Sequence, residues 1–107
     1  MIVYLIGRSP FREQTFHTFL KIAESEAQKG EDVSVIFLQD GVHVAWRGNR
    51  DDGVLDQLSH AGVHLYFREE DVQARGITDH LTELGKEIST QEIMAILAES
   101  SSIISLL

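Results

Sequence analysis

The sequence contains no cysteine. This absence excludes disulfide bonds, thiolate ligands for zinc and a thiol nucleophile. The single proline, Pro10, and a hydrophobic content of 43% are typical of an ordered globular chain and leave little room for a disordered linker. At 107 residues the chain has the usual size of one domain, so we expect a single domain that spans residues 1–107.

Long hydrophobic runs are also absent. The apolar stretch near the start, Ile2–Ile6, ends at Gly7 after five residues and has no basic segment before it. Such a stretch is too short for a signal peptide or a membrane span. We therefore expect a cytoplasmic protein that does not contact a membrane.

Basic side chains are scarce in the second half of the chain. Residues 1–50 hold six acids and six bases, whereas residues 51–107 hold eleven acids and three bases, which accounts for the formal net charge of -8. Affinity for nucleic acids depends mostly on Lys and Arg side chains that neutralise phosphates. The composition therefore argues against direct nucleic-acid binding and favours a basic protein partner or plain solubility.

Three apolar segments predict buried strands. Ile2–Ile6, Asp32–Leu38 and Val63–Phe67 lack the regular polar alternation of a strand with one face in water. Continuous runs of this length are typical of parallel strands that helices cover on both faces. The two intervening segments have helical spacing of apolar residues, and each ends at a glycine, Gly30 and Gly62, that suits a C-terminal cap.

The remaining elements are shorter. Short helices are predicted around Val72, over Ile77–Gly85 and after Ser89, which has the capping-box spacing to Glu92. Asp51 or Asp52 is the predicted N-cap of the helix before the third strand. Two further strands are predicted at Lys86–Ile88 and Ile103–Leu107. The alternation of strands and helices predicts an α/β fold, a three-layer sandwich with a mostly parallel sheet of four or five strands.

Polar side chains follow each of the first three predicted strands. Arg8 and Ser9 follow the first, Asp40 and Gly41 follow the second, and Arg68 follows the third. In open parallel sheets, ligands bind beyond the carboxyl ends of the strands, where these residues are expected to meet. They are the candidate ligand or interface residues of the chain.

Two interpretations of these residues remain open. Arg8, Arg68 and the Ser9 hydroxyl form a candidate site for a small anion. Alternatively, Ser9 before Pro10 caps the first helix and Asp40 caps a short helix, which explains both positions without a ligand. The chain has neither Gly-x-Gly-x-x-Gly nor Gly-x-x-x-x-Gly-Lys-Ser/Thr, which argues against a nucleotide-dependent enzyme.

Trp46 and the histidines are further candidates. Trp46 lies among apolar residues beside Arg47, a composition enriched at protein interfaces, and it is equally consistent with packing over the sheet edge. His60 and His64 are four residues apart, but the predicted cap at Gly62 separates them, so no two of the five histidines have a ligand spacing within one predicted helix or strand. We therefore expect no metal site and no cofactor.

Three loop segments resemble one known family. They are Arg8-Ser9-Pro10-Phe11 after the first strand, Leu38-Gln39-Asp40-Gly41-Val42 after the second, and the block from Gly62 to Ile77. In order and spacing they resemble the DsrE/DsrF/DsrH family, specifically its DsrH/TusB branch, and the resemblance runs from Met1 to Leu107. It implies a small α/β sandwich that assembles with related subunits, as in the TusBCD and DsrEFH sulfur-relay complexes.

The resemblance also implies where in this sequence related subunits would have a cysteine. Sulfur-carrying subunits of the family hold their cysteine just after the third strand, which by the spacing to Arg75-Gly76 falls near Arg68. Sulfane sulfur is transferred by thiolate attack, and the methionine thioethers provide no such nucleophile. The resemblance therefore implies a non-catalytic subunit whose partners are TusC/TusD-like or DsrE/DsrF-like chains, in tRNA thiolation or in sulfur oxidation. The alternative is a homo-oligomer of the same fold that binds a small anion or a nucleotide.

Overall fold

The protein is built on one five-stranded parallel sheet with strand order β4-β3-β2-β1-β5. A computed structural model describes residues 1–11, 14–48 and 52–107, with the backbone alone at Asp52. The strands are β1 Ile2–Ile6, β2 Val33–Phe37, β3 His64–Arg68, β4 Lys86–Ile88 and β5 Ser102–Leu106. The helices are α1 Gln14–Gln28, α2 Asp52–His60, α3 Glu69–Ala74 and α4 Thr90–Glu99, and two 3-10 helices span Gln39–Ala45 and Thr78–His80.

The sheet separates two apolar clusters, as expected of a three-layer fold. The larger cluster joins strand residues such as Tyr4 and Phe37 to Phe16 of α1 and Leu55 of α2. On the opposite face, the smaller cluster joins Val3, Ile36 and Ile88 to Ile93 of α4. The predicted α/β sandwich is confirmed, and every strand pair in it is parallel.

Burial explains why the apolar runs form strands. All five residues of β2 are buried because this strand lies at the centre of the sheet and helices cover both of its faces. The rings of Phe37 and Phe67, on neighbouring strands, stack with centroids 5.5 Å apart. A strand packed on both faces in this way is stabilised by consecutive apolar residues, whereas a strand with one face in water has alternating polar and apolar residues.

The predicted helix boundaries are mostly confirmed. Gly30 and Gly62, which follow α1 and α2, both have φ of 92°, the left-handed conformation that glycine adopts without steric cost. The Ser89 hydroxyl accepts the Glu92 amide at 3.1 Å, so Ser89 is the N-cap of α4, and the Glu92 carboxylate contacts the same hydroxyl at 3.4 Å. The predicted cap at Asp51 or Asp52 lies outside the described side chains. Among the described helices, none is both long and apolar enough to cross a bilayer.

The predicted helix over Ile77–Gly85 is wrong. Only a single 3-10 turn, Thr78–His80, forms there. The backbone then pairs with the segment around Trp46 instead of with itself, since the Arg47 amide donates to the His80 carbonyl at 2.6 Å and the Thr82 amide donates to the Ala45 carbonyl at 2.7 Å. An antiparallel bridge between Trp46 and Leu81 follows, and it replaces helical hydrogen bonds.

Candidate functional site

The loops after β1 and β2 approach each other very closely at the carboxyl edge of the sheet. The Leu38 amide donates to the Ile6 carbonyl at 2.9 Å. A Cβ at Gly41 would lie 2.3 Å from that same carbonyl oxygen. Glycine is therefore required at position 41 by the close passage of two backbones rather than by a positive φ.

A buried carboxylate, Asp71, joins the ends of β2 and β3. Its side chain is 13% exposed and accepts the Gln39 amide at 2.8 Å. It also receives Arg68 at 3.3 Å and Arg75 at 3.2 Å, on different carboxylate oxygens. A carboxylate this deeply buried requires such partners, and here three donors surround it.

Arg68 and Arg75 extend this arrangement on either side. The Arg68 Nε atom lies 2.9 Å from Glu70 Oε2 and 3.0 Å from Thr90 Oγ1. The Arg75 guanidinium bridges Asp71 and Asp40, with 3.1 Å to the Asp40 carboxylate. We call Asp40, Arg68, Glu70, Asp71 and Arg75 the edge cluster. It contains three acids and two bases.

The Thr90 hydroxyl at the start of α4 completes the contacts of Glu70. It donates a hydrogen bond to Glu70 Oε2. This bond, followed by the nearby charge of Arg68, lowers the pKa of the Glu70 carboxyl below its usual value. The carboxylate form of Glu70 thus ties α4 to the end of β3.

Gln39 has the unusual backbone conformation in this region. Its φ of 51° is positive, which side chains other than glycine rarely adopt. The hydrogen bond from its amide to Asp71 holds the residue in place. Sequence reasoning included Gln39 and Asp71 in the loop segments that resemble the family but assigned neither of them a role. The spacing of Arg68, Asp71 and Arg75, at i, i+3 and i+7 in the sequence, was the available signal for the carboxylate.

The predicted residues lie in two places at this edge, and Asp40 belongs to both. Ser9 and Asp40 line a cleft of about 290 Å³ together with Phe11 and His43. The rings of Phe11 and His43 are tilted, with centroids 6.0 Å apart. Arg68 belongs instead to the edge cluster, where carboxylates already contact its guanidinium.

The capping predictions are only partly met. The Ser9 hydroxyl accepts the Phe11 amide at 3.2 Å, which is a capping type of bond, although the first described residue of α1 is Gln14. The prediction for Asp40 is wrong, because Leu38 occupies the N-cap position of the 3-10 helix and no side chain caps it. The Asp40 carboxylate instead pairs with Arg75, a partner 35 residues away that local spacing does not reveal.

Trp46 follows the 3-10 helix Gln39–Ala45 and contacts the segment around Leu81. Its ring stacks on His80 with centroids 4.5 Å apart, and its side chain remains 40% exposed. Packing and exposure are thus both present, and the predicted subunit contact stays a prediction. In the part of the chain that the structure describes, no three histidine or carboxylate side chains come together as metal ligands.

Solved structures share this fold. The YchN protein of E. coli matches with a TM-score of 0.89 at 16% identity, covering 98% of this chain and 97% of that one. A protein of unknown function from Methanobacterium thermoautotrophicum matches with a TM-score of 0.80 at 19% identity, covering 98% of this chain and 97% of that one. At these identities the likeness establishes the architecture alone.

Sequence comparisons identify the family as well as the fold. Residues 8–102 match the family model described as DsrH like protein. The TusB protein of Photorhabdus laumondii is 33% identical over 82 residues, which is 77% of this chain and 76% of that protein. An uncharacterised protein of Methanopyrus kandleri is 24% identical over 111 residues, covering 97% of this chain and 92% of that one. The family match and the TusB match together confirm the resemblance of the loops, and the chain belongs to the DsrH-like family.

Proposed function

We propose that this chain is a non-catalytic subunit of a sulfur-relay complex, in which related subunits carry the sulfur. The observation that supports it is the residue at the position expected for a thiol. Arg68 stands there, and Glu70, Asp71 and Thr90 hold its guanidinium at 2.9–3.3 Å. A chain without cysteine cannot form a persulfide, so its contribution to a relay is structural.

The electrostatics of the edge cluster agree with this role. The edge cluster offers a persulfide on this chain's own surface no unpaired arginine, because Arg68 contacts Glu70 and Asp71 while Arg75 contacts Asp40 and Asp71. Carboxylates disfavour a nearby thiolate and raise its pKa. We therefore assign the chain to shaping or shielding the sulfur-carrying cysteine of a partner rather than to holding sulfur on its own surface.

The proposed pathway is the formation of 2-thiouridine at the wobble position of certain tRNAs, in the cytoplasm. The similarity to TusB over three quarters of the chain favours this branch over sulfur oxidation. The partners would be TusC- and TusD-like chains. Contact with tRNA itself is not part of the proposal, because the chain is acidic.

Deletion of the gene in the native cell tests the pathway. We expect the 2-thiouridine content of tRNA hydrolysates, measured by mass spectrometry, to fall and to recover when the wild-type chain is supplied from a plasmid. A plasmid with a stop codon early in the same reading frame is the control. Unchanged 2-thiouridine in the deletion strain would rule out the tRNA branch, leaving sulfur oxidation to be tested in the same strain.

The alternative, an oligomer that binds a small anion, has weaker support. The Arg68 guanidinium is already paired with carboxylates of the edge cluster, and the Asp40 carboxylate of the same cluster lines the cleft. A carboxylate in the cleft repels anions. Stabilisation of the chain by phosphate or sulfate in a thermal-shift assay, lost in Arg8→Ala, would revive this alternative.

A further inference from the structure

The carboxyl edge contains an aspartate-glycine pair, Asp40-Gly41, in the 3-10 helix that follows β2. In such a pair the glycine amide nitrogen can attack the aspartate side-chain carboxyl, because glycine has no Cβ to obstruct the approach. The product is a five-membered cyclic imide, whose hydrolysis gives isoaspartate. Asp40 is also a member of the edge cluster, so the reactivity of this pair depends on the contacts at the edge.

Isoaspartate formation at Asp40 needs no oxidant, reductant or cofactor. A bond forms between the Gly41 nitrogen and Asp40 Cγ, the amide proton is lost, and a carboxyl oxygen leaves as water. Water then cleaves the imide at the former main-chain carbonyl carbon, so that the main chain runs through Cβ and Cγ of Asp40. No atom is gained or lost overall, and the main chain becomes longer by one methylene group.

The Gly41 amide nitrogen is restrained in the folded chain. It donates to the Leu38 carbonyl at 2.9 Å, and Gly41 is buried. Gly41 lies against the Ile6 carbonyl so closely that not even a Cβ would fit between them. The peptide unit between Asp40 and Gly41 therefore has little room to rotate toward the side chain unless the loops after β1 and β2 separate. Attack requires a locally open conformation of this edge.

Arg75 restrains the other reacting group, the Asp40 carboxyl. Its Nε and Nη2 atoms lie 3.2 Å and 3.1 Å from Asp40 Oδ1, and together they fix the rotation of the side chain. Asp71 holds Arg75 in turn, at 3.2 Å. The Asp40 side chain is 62% exposed, so water reaches it freely. The restraint on this carboxyl thus comes from its ion pair rather than from burial.

We propose that Asp40 is a site of isoaspartate formation and that its ion pair with Arg75 keeps the reaction slow while the carboxyl edge is closed. Loss of the ion pair lets the Asp40 side chain rotate, and separation of the two loops lets the Gly41 amide meet it. The added methylene group then displaces Gly41 from its place beside Ile6, so the modified edge does not close as before. This inference concerns the chain alone and does not rest on a role in sulfur relay.

Ageing of the purified full-length chain at neutral pH and raised temperature tests the proposal. Isoaspartate is quantified in tryptic peptides by liquid chromatography and mass spectrometry. In the wild-type chain we expect Asp40 to react about tenfold or more slowly when folded than in concentrated urea, since reaction proceeds only from open conformations. Arg75→Met should raise the rate in the folded chain about two- to fivefold, the range that a partly exposed ion pair supplies.

Arg68→Met is the matched control. Arg68, like Arg75, pairs with Asp71, but its other acidic partner is Glu70 rather than Asp40. Its replacement should leave Asp40 at the wild-type rate, and circular dichroism checks that each variant is folded. Asp40→Glu should abolish the product, because glutamate would have to form a six-membered ring, and it thereby excludes Asp32 of the same tryptic peptide as the source.

Ionic strength supplies a second measurement that needs no substitution. Salt screens an exposed ion pair, so Asp40 of the folded wild-type chain should react faster in high than in low sodium chloride. The proposal would be overturned by a rate that depends on neither salt nor Arg75→Met, or by equal rates in the folded chain and in urea. Equal acceleration by Arg68→Met and Arg75→Met would also overturn it, because loosening around Asp71 would then be the cause.

Discussion

Asp71 connects the loop after β2 to Arg68 and Arg75 at the carboxyl edge. It holds the strained Gln39 backbone and pairs with two arginines from a position that is almost fully buried. The sequence indicated the edge correctly, because strand ends follow from apolar periodicity. It did not indicate the central position of Asp71, because the contact from Asp71 to Gln39 spans 32 residues and depends on how the loops fold together.

The substitution Asp71→Ala should lower the free energy of unfolding by about 2–3 kcal/mol, because it leaves the Gln39 amide and two arginines without their shared acceptor. Urea denaturation at neutral pH measures the change. Asp56→Ala, which removes an exposed carboxylate of α2, is the control and should change stability by less than about 0.5 kcal/mol. Equal effects of the two substitutions would show that the contacts of Asp71 contribute no more to the free energy of unfolding than those of an exposed carboxylate.

The Thr90–Glu70 contact predicts a pH dependence. The pKa of Glu70 is lowered in the folded chain, chiefly by the Thr90 hydroxyl. The resulting stabilisation is present above the unfolded-state pKa of Glu70 and is lost as the pH falls through the lower, folded-state value. Thr90→Val should raise the pKa of Glu70, as measured by NMR titration of its side-chain carboxyl carbon, while Thr90→Ser should leave it low. A pKa that does not change in Thr90→Val would exclude the hydroxyl as the cause.

Among the secondary-structure elements, the segment after α3 shows tertiary contacts overriding a local helical pattern. The apolar residues Ile77, Leu81 and Leu84 have helical spacing, and all three contact the larger cluster. They do so from a segment whose only helical turn is Thr78–His80, because the backbone around Leu81 pairs with the segment around Trp46. By contrast, α4 is predictable, because its cap at Ser89 and its apolar stripe are both local features.

The surroundings of Gly41 and Gly53 predict opposite effects of an added methyl group. Gly41→Ala should destabilise the chain by about 1–3 kcal/mol, because the new methyl group meets the Ile6 carbonyl. Gly53→Ala is the matched control, since the site lies in α2 with no heavy atom within 4 Å of the added Cβ. There the change should stabilise the chain by up to about 1 kcal/mol. Thermal unfolding of both variants measures the difference, and a neutral Gly41→Ala would show that the loops can separate without cost.

At the scale of the whole molecule, the order of strands and helices made the α/β sandwich predictable. Five buried or edge strands and their crossovers follow from apolar runs and glycine positions, and the topology agrees with YchN at only 16% identity. The pairing of Asp40 with Arg75 and the contacts of Arg68 were not predictable. They depend on which charged side chains meet after the chain has folded.

The proposed role is service in a relay whose sulfur is carried by other subunits. Affinity purification of the chain from its native cell, with mass spectrometry of the proteins that accompany it, tests this role. We expect stoichiometric recovery of related subunits that do contain cysteine, and alkylation should detect a persulfide on those subunits. Recovery of the chain by itself, or only as a homodimer, would show that it is not such a subunit.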